Sequence, residues 1–346
     1  MMRNADAGKG RMAVAGRYLP ALGVLVVLVL LPQVITSPYY LHLALLILLY
    51  VGLSSAWNLT GGFAGQLSLG HAGFFGIGAY TSTLLYLHFH LSPWLGMVAG
   101  VLLAMAAGAA IGYPCFRLRG PFFALATLAF GEVLRIVTIF WRELTQGANG
   151  LFIPFEAGFK NMMWQGKEVF YYVILIYALI AVGIAWQINR SRLGYYLIAL
   201  KEDDSAARML GVDTTRCKVY TIMISAGLTA AGGVFYAQYV GFIEPHSMFD
   251  IFLSVQLALI AIIGGLGMVF GPVLGAFIMI PLSEGLRVAF GGEARGFHLV
   301  LYGLFLIAVV MVIPQGLAQE LRDRYRRWAI AGQPAATQQK GQGDAL

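Results

Sequence analysis

Asp203-Asp204-Ser205-Ala206-Ala207-Arg208-Met209-Leu210-Gly211 lies in the middle of residues 190–218, the one long polar interruption in a chain that otherwise reads as membrane from 18 to 314. Asp203 or Asp204 can accept a hydrogen bond from an orphan backbone amide as an N-cap, and Gly211 can take the left-handed conformation that ends a helix. The spacing therefore predicts a helix of about two turns. Its face of Ala206, Ala207, Met209 and Leu210 is small and apolar, while Arg208 and the acidic cap are polar. Such a segment suits docking into a groove on another protein. A membrane protein that carries one is driven from outside its own chain.

Outward from this segment, composition sets the class. Apolar residues make up 59% of the 346 and charged residues only 11%, which excludes a soluble domain. Helical spans need about 20 mostly apolar residues. Cutting at polar and Gly/Pro-rich breaks gives ten: 18–35, 39–58, 63–88, 94–115, 120–140, 169–188, 218–240, 249–264, 269–288 and 297–314. The expected fold is an all-α polytopic membrane protein, with the third segment and the 249–288 pair glycine-rich enough to be broken or re-entrant. Ten spans put 17 of the 23 basic residues on one side. By the positive-inside rule that side is cytoplasmic and holds both termini and the 189–218 loop. Residues 1–17 are then a basic cytoplasmic arm, 18–314 the transmembrane domain, and 315–346 a basic cytoplasmic tail expected to be partly disordered. The first apolar run lacks a small-x-small cleavage site and reads as an uncleaved span. The net charge of +7 faces anionic lipid headgroups rather than nucleic acid. Cys115 and Cys217 fall on the reducing side, so no disulfide is implied.

Glycine marks the interior. Gly96, Gly100, Ala104, Gly108 and Gly112 recur every fourth residue, as do Gly267, Gly271 and Gly275, a spacing that lets helices approach closely. Residues 61–78 hold seven glycines in eighteen. Each destabilises a helix by nearly ~1 kcal/mol relative to alanine, so bare backbone must serve close packing or a polar route. Gly65, Gln66, Ser68, His71, Gly73 and Gly76 are the candidate translocation path, with Gln238 and Gln256 as weaker candidates. Taken alone, His71 reads more readily as a helix-to-helix hydrogen-bonding partner than as a proton relay. Two intramembrane pairs, Glu132 with Arg135 and Glu284 with Arg287, stand at i, i+3. They read as structural ion pairs; in a proton-coupled carrier the same carboxylates would be relays.

The run from Gly65 to Tyr80, Thr127-Leu128-Ala129-Phe130-Gly131-Glu132, the segment from Leu144 to Leu151 and the loop helix closing on Gly211 resemble the LivM-type permease subunit of branched-chain amino acid ABC importers. The resemblance covers about residues 20–318. It implies an ABC importer permease of type II-like architecture in the bacterial inner membrane. It also implies partners: a LivH-type permease, two cytoplasmic ATPase subunits that use ATP and Mg, and an external substrate-binding protein. The ATPase-coupling residues it implies are Glu202, Asp203, Ser205, Ala206, Ala207 and Gly211. Two positions depart from the family pattern: Ser205 replaces the acidic residue of its Glu-Ala-Ala loop, and Gln146 occupies a glycine place.

The chain carries no Gly-x4-Gly-Lys-Ser/Thr phosphate cradle, and no nucleophile elbow, zinc site or catalytic carboxylate pair. No cofactor is expected on it, and it is not expected to be an enzyme. Urea, short amides or other small acids are alternative substrates within the same family. A proton- or ion-coupled secondary transporter is the alternative of another class.

Overall fold

A computed structural model describes residues 23, 25–35, 37–116, 118, 120–290, 297–312, 316–320 and 322–324. The expected N-terminal arm and most of the tail lie outside them, as do Arg117, Arg119 and Arg295. The chain is helical almost throughout: α1 Leu25–Val34, then α2 Pro38–Asn58, α3 His71–Phe89, α4 Pro93–Cys115, α5 Pro121–Phe140, α6 Arg142–Thr145, α7 Lys167–Arg190, α8 Arg192–Glu202, α9 Asp204–Met209, α10 Thr214–Val240, α11 Pro245–Met248, α12 Ile251–Gly265, α13 Gly271–Phe290 and α14 Phe297–Val312. One antiparallel pair, β1 Leu151–Phe152 with β2 Phe242–Ile243, ties the 141–166 loop to the end of α10.

Among the described residues, seven segments are long and apolar enough to cross a membrane. The other three expected spans are helices too. Within the described residues α1 and α14 are shorter, and α3 has the length but carries His71, Ser82, Thr83 and three glycines. α3 tolerates that polarity because His71, Ser82, Thr83 and the three glycines are all buried by protein. It lies between α4 and α10, while α2 runs along α7 and α13, and α12 pairs with α13.

The small-residue stripe has a visible purpose. The residues of α4 that are buried are Pro93, Gly96, Gly100, Ala104, Gly108 and Gly112, one per turn. A Cβ on Gly100 would lie 3.2 Å from the Gly78 Cα in α3, and one on Gly108 would lie 3.2 Å from the Ala226 Cβ in α10. Backbone contact across this seam supplies the dispersion that lipid cannot.

The third expected span begins later than its apolarity suggests. α2 widens into an underwound π-helical turn at Leu59–Phe63, and the chain leaves helical geometry until His71. Side chains from elsewhere take up the freed backbone groups. Trp57 Nε1 donates to the Ser68 carbonyl at 2.7 Å, the Leu69 amide donates to Thr127 Oγ1 at 3.0 Å, and the Ala72 amide donates to Ser254 Oγ at 2.8 Å. Asn58 stitches the break to the α12–α13 turn, donating to the Met268 carbonyl at 2.9 Å and accepting from the Gly267 amide at 3.0 Å. Irregular backbone survives inside a membrane domain only with such partners.

Candidate coupling site

The polar loop folds into two helices. Ser191 caps α8, and Asp203 caps α9: its Oδ1 accepts from the Ser205 amide at 2.8 Å and the Ala206 amide at 3.1 Å. Gly211 has φ of +84°, which a non-glycine residue adopts only with strain. The Val212 amide closes the end on the Ala207 carbonyl at 3.1 Å.

Tertiary contacts hold α9 rigidly against α10. Lys218, whose side chain is 7% exposed, reaches Asp204 Oδ1 at 2.9 Å, and Arg208 reaches Asp204 Oδ2 at 3.0 Å. Arg208 Nε also donates to Thr214 Oγ1 at 2.8 Å. Burial raises the Asp204 carboxyl, but the hydrogen bond and charge of Lys218, with Thr214 and Arg208, outweigh it and hold the group below the ordinary carboxylate value.

The short apolar face is divided by this anchoring. Ala207 is 3% exposed and packs in this chain's own core with Leu197, Leu200 and Cys217. Met209 and Leu210 point the other way, 90% and 85% exposed. Glu202, Asp203, Ser205, Ala206 and Gly211 are exposed as well. The surface available to a second protein is therefore Ala206, Met209 and Leu210, and Ala207 is the residue that carries α9 onto the membrane domain.

The two densest sequence signals meet here. Gly65, at φ +66°, lies under α8: a Cβ there would fall 3.1 Å from Lys201 Cγ, and one on Gly267 would fall 3.4 Å from Lys201 Nζ. Gln66 is half-buried and lines a polar cavity of about 830 Å³ with Asp203, Asp204, Arg208 and Lys218. The loop helices, the Gly65–Gly70 break and the α12–α13 turn thus form one contiguous junction. Lys201 gave no sequence signal, since nothing local marks a lysine that lies across two glycine backbones. The Asp204–Arg208 pair at i, i+4 was the available clue to the anchoring.

The remaining path candidates lie deeper. Ser68 is buried, and its Oγ accepts from the Gly70 amide at 3.4 Å. His71 is buried with Nε2 2.8 Å from Ser225 Oγ, which donates to the Ala56 carbonyl at 2.6 Å. The serine proton being committed, His71 Nε2 is the donor, and the chain of bonds joins α3, α10 and α2. Gly73 faces Phe130 and Leu134 of α5, and Gly76 lies against the Phe249 ring. Gln256 Oε1 accepts from the Tyr50 hydroxyl at 3.0 Å; Gln238 is buried with neither amide atom partnered among the described residues.

Both ion pairs form. Arg135 binds Glu132 through two nitrogens and sits 3.2 Å from His246 Nδ1 of α11, a neighbour the sequence did not suggest. Arg287 donates to Glu284 at 2.6 Å. Gln146, which departs from the family's glycine, sits in the left-handed region with φ of +57°. A non-glycine residue in this left-handed conformation carries local strain.

Comparison with known proteins gives the family. The family model described as branched-chain amino acid transport system, permease component, matches residues 39–310. The high-affinity branched-chain amino acid transport system permease protein LivM of Escherichia coli is 30% identical over 82% of this chain and 71% of its own length. The LivH protein of the same organism is 24% identical over 78% of this chain and 90% of its own length. The fructose import permease protein FrcC of Rhizobium meliloti is 24% identical over 63% and 62%. No solved structure matches the chain.

Proposed function

The chain belongs to the family of branched-chain amino acid permease components, and on that premise we propose that it is one membrane-spanning subunit of an ATP-driven importer for apolar amino acids in the bacterial inner membrane. Its partners in this reading are a LivH-type permease, two cytoplasmic ATPase subunits that use ATP and Mg, and an external substrate-binding protein. The α8–α9 end and both termini are cytoplasmic, and the β1–β2 end faces out.

The observation that carries the reading is a docking knob rigidly joined to a weak point in the membrane domain. Met209 and Leu210 project from α9, Ala207, Asp204 and Lys218 fix α9 to the bundle, and Lys201 rests on the Gly65 break. A displacement of α9 by an ATPase subunit then moves the junction as one body. At the non-helical segment from Gly65 to Gly70 such a motion breaks no helical ladder.

Glu132 and Glu284 are each neutralised by their own arginine, which suits a structural role better than proton relay. The LivM and LivH relatives favour branched-chain amino acids over the sugar of the more distant fructose permease. The test is ATP-dependent uptake by the reconstituted complex from a panel of leucine, isoleucine, valine, urea, acetamide and fructose. Leucine, isoleucine and valine are expected to enter. Uptake of fructose or urea alone would refute the substrate assignment.

A further inference from the structure

Between Glu168 and Glu202 the chain carries no acidic residue, yet it holds Arg190, Arg192 and Lys201. The two arginines flank Ser191, where α7 ends and α8 begins. On α7 the exposed residues include Ile176, Ile180, Gly183, Trp186 and Arg190, one per turn, while Ala178, Ala181 and Ala185 are buried on the other side. One stripe of this membrane helix is thus apolar and exposed as far as Trp186, and cationic one turn later.

That order marks a bilayer boundary. Tryptophan settles at the membrane–water interface, and an arginine one turn beyond it reaches the headgroups. Arg190 is held at that place, its guanidinium carbon 4.1 Å from the centre of the Trp186 ring in cation–π contact. Past Ser191, α8 buries Gly194, Leu197 and Leu200 against the protein and exposes Arg192, Tyr195 and Tyr196, again residue types that lie among headgroups. Leu197 and Leu200 share one buried cluster with Ala207 of α9, so whatever seats α8 also sets α9.

We propose that the α7–α8 corner binds the phosphate of an anionic phospholipid through Arg190 and Arg192, and that this lipid seats α8 so that α9 is presented to the ATPase subunit. The inference rests on the functional reading above, which puts the corner in the cytoplasmic leaflet. A guanidinium matches phosphate oxygens two at a time. A zwitterionic phospholipid offers the same phosphate but adds an ammonium, which the two arginines repel and for which the stretch from 169 to 201 holds no carboxylate. Charge therefore selects the anionic lipid. Continuity with the exposed apolar stripe of α7 favours lipid over the ATPase subunit as the occupant.

The experiment measures, by native mass spectrometry, the phospholipid retained by the full complex from an equimolar mixture of phosphatidylglycerol and phosphatidylcholine. Phosphatidylglycerol is expected to be retained with a preference of roughly tenfold, as two arginines beside an anionic headgroup would give. Arg190→Gln combined with Arg192→Gln should lose that preference at unchanged unfolding temperature, and Arg190→Lys combined with Arg192→Lys should keep most of it. A preference that is absent, or that survives in the glutamine variant, would overturn the site. Displacement of the lipid by millimolar glycerol 1-phosphate would overturn it too, in favour of a soluble phosphate. Association of the ATPase subunit with the permease in nanodiscs should be several-fold weaker in phosphatidylcholine than in phosphatidylglycerol, and equally weak in both for the glutamine variant. Native association that ignores the lipid would overturn the seating of α8, and glutamine-variant association that falls while its lipid preference remains would assign the arginines to the ATPase subunit instead. Uptake into proteoliposomes is followed in parallel. No ATP-driven uptake in any lipid would refute the functional reading itself, whereas ATP-driven uptake equal in both lipids would refute only the lipid inference.

Discussion

Truncating Leu210 to alanine separates a docking residue from a folding residue. Leu210 is 85% exposed, so its side chain contributes almost nothing to this chain's own core. Its burial by an ATPase subunit would contribute about 1.5–3 kcal/mol. Removing all but the β-carbon forfeits about 2 kcal/mol of that, a roughly 30-fold loss of affinity at ~1.4 kcal/mol per decade. Ala207→Glu is the contrasting case. Ala207 is packed among Leu197, Leu200 and Cys217, and an unpaired charge there costs several kcal/mol, so it should lower the unfolding temperature of the permease by itself. The assay is association of the purified ATPase subunit with nanodisc-held permease by biolayer interferometry, alongside thermal unfolding. Leu210→Ala should lose affinity at unchanged stability. Native affinity in Leu210→Ala would refute the assignment of Met209 and Leu210 as the docking surface.

Two further outcomes test the supporting geometry. The folded Asp204 carboxyl titrates below its ordinary value near 3.8, so its contribution to holding α9 is present above that value and lost as pH falls through the lowered one. Hydrogen exchange in α9 should quicken below about pH 4, as carboxylates protonate, and Asp204→Asn should exchange faster already at pH 7; protection that is insensitive to both would contradict the anchoring. Glu132→Gln should impair uptake more than Glu132→Gln combined with Arg135→Leu, with a coupling of about 0.5–3 kcal/mol in unfolding stability. A double variant as impaired as the single would instead point to a chemical role for Glu132.

What could be read from the sequence was what short-range chemistry decides. The α9 cap was legible because Asp203 reaches amides two and three residues ahead, and the α4 stripe because one glycine or alanine per turn has few uses besides close packing. The orientation of α9 was not legible. A six-residue helix has too few turns for its buried face to show as a period, and the Lys218–Asp204 contact that sets it spans fourteen positions. The glycine run announced a break, but the extent of the break depends on Asn58, Thr127 and Ser254, which come from three other helices. For the same reason the third span was drawn from 63 although its helix starts at His71. Ser68, His71, Gly73 and Gly76 carried a polar, small-residue signature that a buried seam shares with an open path; their neighbours, not their identities, distinguish the two.

The central claim is that work enters this bundle through α9 from ATP hydrolysed on another subunit. Leucine uptake into proteoliposomes holding the full complex and its binding protein, followed with and without enclosed ATP and with a protonophore, tests it most directly. The account predicts uptake that needs ATP, survives the protonophore and is lost in Leu210→Glu. Uptake that continues without ATP and collapses under the protonophore would contradict it.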